Sequence, residues 1–125
     1  MDHAVSSGAT ATGDTVKTLI ETITVPATAK RIKAIWGYCV GAATLTTGEQ
    51  ASGILEVESS DINVQPLQVP LDIVGALTSG AFSLKPTLFP LDIPVTGKER
   101  LSGYMTMDVA QTGGFKGRWG FIYGD

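Results

Sequence analysis

The side chains in this sequence that could carry chemistry are few. Histidine occurs once, at His3, and cysteine once, at Cys39. Acid–base and nucleophilic catalysis near neutral pH draw on histidine or an activated cysteine. His3 lies in a run of small polar residues expected to be mobile. Nothing there should hold it within hydrogen-bond reach of a partner, so a Ser-His-Asp arrangement is not expected. Cys39 has no histidine to activate it, and its apolar neighbours point to packing. A single cysteine makes no intramolecular disulfide and no multi-cysteine metal site.

Carboxylates are the next candidates. Glu56 and Glu58 fall on one face of a strand, about 7 Å apart by strand geometry, and a glycosidase needs two such groups. A catalytic pair normally comes from separate elements lining a cleft, with one acid raised by burial; two glutamates on one polar face read as a solvated face instead. Glu49, Asp61, Asp72 and Asp92 are expected in loops. They could meet a calcium ion, but they lack any regular ligand spacing. The basic groups Lys30-Arg31-Lys33 and Lys116-Arg118 are too small for salt-sensitive phosphate binding and read as solvated strand residues. Fifteen glycines make no phosphate loop leading into a helix. The expected inventory is therefore no catalytic group, no cofactor, no metal and no nucleic-acid partner.

The elements that would position these residues are strands. The chain has 125 residues, 43% hydrophobic and 17% charged, with a net charge of -3; these values describe one globular domain with no strong attraction to polyanions. No run reaches the roughly 18 apolar residues of a membrane helix, and Met1-Asp2-His3-Ala4 does not begin a signal peptide. Residues 1–14 are expected as a flexible N-terminal arm and residues 15–125 as the folded domain. Apolar residues alternate along 30–40, 53–59, 101–109 and 115–123, and 16–25 and 62–69 read as less regular strands. Between them stand turn signals such as Pro26-Ala27-Thr28, Ser59-Ser60-Asp61 and Thr96-Gly97-Lys98-Glu99. Prolines 66, 70, 86, 90 and 94 lack a ladder donor, so they belong on edge strands, strand ends or crossovers. The implied fold class is all-β, a two-sheet antiparallel sandwich, jelly-roll-like, of about eight strands. The tetrapeptide Pro70-Leu71-Asp72-Ile73 recurs as Pro90-Leu91-Asp92-Ile93 and reads as coincidence or a shared local turn; its functional alternative is two equivalent loops, each offering an aspartate.

Alternation places Ile32, Ala34, Trp36, Tyr38 and Val40 on the core side of their strand, and Trp119 with Phe121 on the core side of theirs. The opposite parity leaves Ile35, Cys39 and Ile122 facing outward although they are apolar. An apolar outer face on a two-sheet domain has no internal cover, so these three are the expected oligomer interface. Thr15–Asp125, with its polar arm, Thr- and Gly-rich strands and Pro-rich crossovers, resembles the single-jelly-roll capsid and capsid-decoration proteins of small icosahedral viruses and phages. The closing Gly117–Asp125 segment is similar to the aromatic last strand of trimeric C1q/TNF-like jelly rolls. The resemblance implies a non-catalytic structural protein of the virion, whose partners are further copies of itself and other virion proteins. The arm has no lysine or arginine, which argues against genome contact. The alternative is a carbohydrate-binding sandwich that uses outward aromatic rings, of which alternation leaves only Tyr104.

Overall fold

In the computed structural model the described residues are 1–8, 11–12, 15–43, 50–62, 66–74, 80–83, 87–107 and 116–125. They form strands and connections, with no helix among them. The strands are β1 (Asp2–Ser6), β2 (Ala11–Thr12), β3 (Thr18–Thr24), β4 (Arg31–Ala43), β5 (Gln50–Glu58), β6 (Leu67–Val74), β7 (Gly80–Ser83), β8 (Thr87–Pro94), β9 (Arg100–Met107) and β10 (Lys116–Gly124). β1 and β2 pair with successive parts of β10, and β7 and β8 with successive parts of β4. Each of these couples acts as one interrupted strand.

Two antiparallel sheets result, each four strands wide, ordered β1/β2–β10–β4–β7/β8 and β3–β9–β5–β6. The first half of the chain pairs with the second half in reverse order: β1 with β10, β3 with β9, β4 with β8, β5 with β6. A long antiparallel ribbon folded over in this way is the jelly roll expected from the sequence. Prolines sit where a missing N–H is tolerated. Pro70 is in edge strand β6, and Pro90 and Pro94 are in edge strand β8. The repeated tetrapeptide is thus strand in both copies, not a turn or a loop; Pro86 lies outside the described residues.

Alternating residues from both sheets fill the space between them. Trp119 and Phe121 from β10, Ile32 and Ile35 from β4, Leu55 from β5 and Met105 from β9 are all fully buried. The indole of Trp119 crosses the gap and donates from Nε1 to the Glu21 carbonyl at 3.0 Å. Gly103 opposite it must lack a side chain, since a Cβ there would lie 2.3 Å from Nε1. At one end of the sandwich, two of the expected turns close on each other. Gly97 takes a φ of 94° with a would-be Cβ only 2.7 Å from the Ala27 carbonyl, a position that requires glycine. The Glu99 carboxylate accepts the Thr96 N–H at 2.7 Å.

Two expectations are corrected. Residues 2–6 are not a free arm but the edge strand β1, in register with Gly120–Gly124 of β10, with Val5 packed against the core. The sequence signal is weak because a five-residue edge strand shows only two or three inward positions. The second correction concerns β4. Lys33 has no partner in either neighbouring ladder, since Ile32 and Ala34 pair with consecutive residues of β10. This one-residue bulge reverses the parity of the residues beyond it. Ile35, expected at an interface, is 1% exposed and belongs to the core. Trp36, expected in the core, is half-buried on the opposite face.

Candidate assembly surface

The outer face of the first sheet is built by register. In one cross-strand row Ala4, Ile122, Ala34 and Pro90 stand level with one another. In the next row the residues are Ser6, Gly120, Trp36 and Leu88. The rows alternate with inward residues such as Val5, Phe121 and Ile35, so register puts all eight on the outer side of the sheet, where Ala34, 5% exposed, and Gly120 are nonetheless buried. Trp36 leans across its neighbour: a Cβ on Gly120 would come within 2.3 Å of the indole ring, so glycine there is what allows the ring to lie on the sheet. Leu88 is 54% exposed, and Ala4, Ser6 and Pro90 are exposed as well. The face is a continuous apolar and small-residue strip without a charge in either row.

At one end of the strip Arg118, level with Tyr38, donates to the Gly8 carbonyl at 3.4 Å; at the other end the charges are matched among themselves. Lys33, aimed outward by the bulge, reaches over Gly124 to the Asp2 carboxylate at 2.8 Å. The hydrogen bond from Lys33 holds the Asp2 acid below its ordinary range. Arg31 likewise holds Asp92 low through a hydrogen bond from Nε. Asp92 is therefore engaged by an arginine, not displayed in a loop for a cation. The side chain of Asp72 lies outside those described, as does that of Cys39, whose backbone pairs with Gly117. Of the three residues expected at the interface, Ile122 alone is placed by its side chain on the outer face.

His3 also departs from expectation. Its ring stacks on Tyr123 at 5.0 Å between centroids, and its Nε2 lies 3.0 Å from Asp125 Oδ2. β1 and the end of β10 hold it there, so it is an ordered residue of the sheet edge.

The outer face of the second sheet exposes Leu19 and Ile54 beside a cluster of matched charges. Glu56 faces Tyr104 across the ladder, and Lys17 bridges Glu56 at 2.6 Å and Glu58. The hydrogen bond from Lys17, reinforced by one from Gln68, lowers the Glu56 acid, while the two glutamates raise the Lys17 ammonium. Lys17 also sits 4.6 Å over the Tyr104 ring, covering the one aromatic surface that alternation had offered to a sugar. The two glutamates share one cation on an open face, and of the two only Glu58 borders the small cleft between the sheets. Among the described residues no group of three or more His, Cys, Asp or Glu side chains is placed to hold a metal ion, and no helix is long and apolar enough to cross a membrane. An apolar cleft between the sheets, lined by residues such as Ile32, Leu67, Ile93 and Leu101, has a volume of about 10 Å³, room for one water molecule.

No protein-family model matches the chain, and no curated protein matches it with significance.

Proposed function

We propose that this chain is a non-catalytic structural protein that self-assembles, and that the assembly is a virion component, either shell or decoration. The observation that carries the reading is the pair of charge-free rows on the outer face of the first sheet. Exposed apolar strips of this kind on a small sandwich are commonly buried between molecules. The jelly-roll order and the resemblance in strand and crossover style add the viral setting. The experiment is light scattering on the purified chain with electron microscopy of the same sample. The expected outcome is a discrete oligomer or a closed ring or shell; a monomer at all concentrations removes the reading.

A second reading has one observation of its own. Trp36 is half-buried with its ring against Gly120 on an outer face, and an outward aromatic ring is what a sugar platform uses. Retention on a polysaccharide matrix that is lost in Trp36→Ala, with the wild type monomeric, would establish a carbohydrate-binding module instead.

A further inference from the structure

We draw no further inference here: the strongest candidate, the apolar strip around Trp36, Leu88 and Ile122 on the outer face of the first sheet, belongs to the surface already described, and nothing in the structure shows what covers it.

Discussion

Trp119 is held by its bulk and by its N–H. Its ring fills the gap between the sheets while Nε1 donates to the Glu21 carbonyl. The two contributions separate by mutation. Trp119→Ala should cost about 3–5 kcal/mol, the usual range for truncating a large buried aromatic. Trp119→Phe keeps most of the packing and leaves the Glu21 carbonyl unpaired, which should cost about 1–3 kcal/mol; urea unfolding followed by circular dichroism measures both. Trp36 on the outer face loses less on truncation, so Trp36→Ala should be the milder of the two alanine variants. Ile35→Asp is a further discriminating substitution. With Ile35 in the core, an aspartate there has no partner and no water. The expected outcome is an unfolded chain, in contrast to a folded protein that merely fails to assemble.

Two elements behave differently from what their composition suggests. β1 is short and nearly all small residues, yet it covers the edge of β10 and puts Val5 against the core. Deleting residues 2–6 should therefore lower stability by about 2 kcal/mol or more, a fall of roughly 8 °C or more in Tm for a domain of this size; an unchanged thermal midpoint would mean that β10 is a sufficient edge by itself. In β4 the bulge matters more than the side chain that occupies it. Lys33→Ala removes an exposed ion pair and should leave the thermal midpoint close to wild type. Deletion of Lys33 removes the extra residue, so one flank of β4 must present its apolar residues to water. Loss of a cooperative thermal transition is expected for the deletion alone.

At the scale of the whole molecule, exposed carboxylates are tied to cations or backbone donors around the sandwich. Asp2 is lowered by Lys33, Asp61 by the Arg100 backbone N–H and side chain, Asp92 by Arg31, Asp125 by His3 and Glu56 by Lys17. A carboxylate whose folded value is depressed stabilises the fold above its unfolded value, and that contribution is lost as pH falls through the folded value. The thermal midpoint should be level from about pH 8 to about pH 5 and decline below about pH 4, where ordinary aspartates and glutamates begin to protonate. Added salt should flatten the decline, because every one of these pairs faces solvent and is screened. Calorimetry across that range at two ionic strengths checks both statements.

Period-two alternation, turn residues at regular spacing and prolines confined to a few segments were enough to specify an all-β sandwich, because each is a local consequence of how a strand exposes its two faces. The core residues of β5, β9 and β10 were legible for the same reason: Leu55, Met105, Trp119 and Phe121 lie on uninterrupted alternating runs. The candidate surface was legible only in part. Ile122 conforms to the alternation of β10 and reads as outward, whereas Trp36 and Leu88 do not, and Ile35 reads as outward although it belongs to the core. Nothing in Arg31–Gly37 announces a bulge, which exists because β10 and β8 on either side both skip Lys33. Leu88 gains its meaning only from lying level with Trp36 across a ladder between distant parts of the chain. His3 and β1 were missed on the same ground, since an edge strand of small residues gains its order from β10, far along the chain. The sequence alone determined which residues favour strands and where those strands break. Tertiary pairing decided which face each residue joins, because one unpaired residue in a ladder exchanges inside for outside along the rest of its strand.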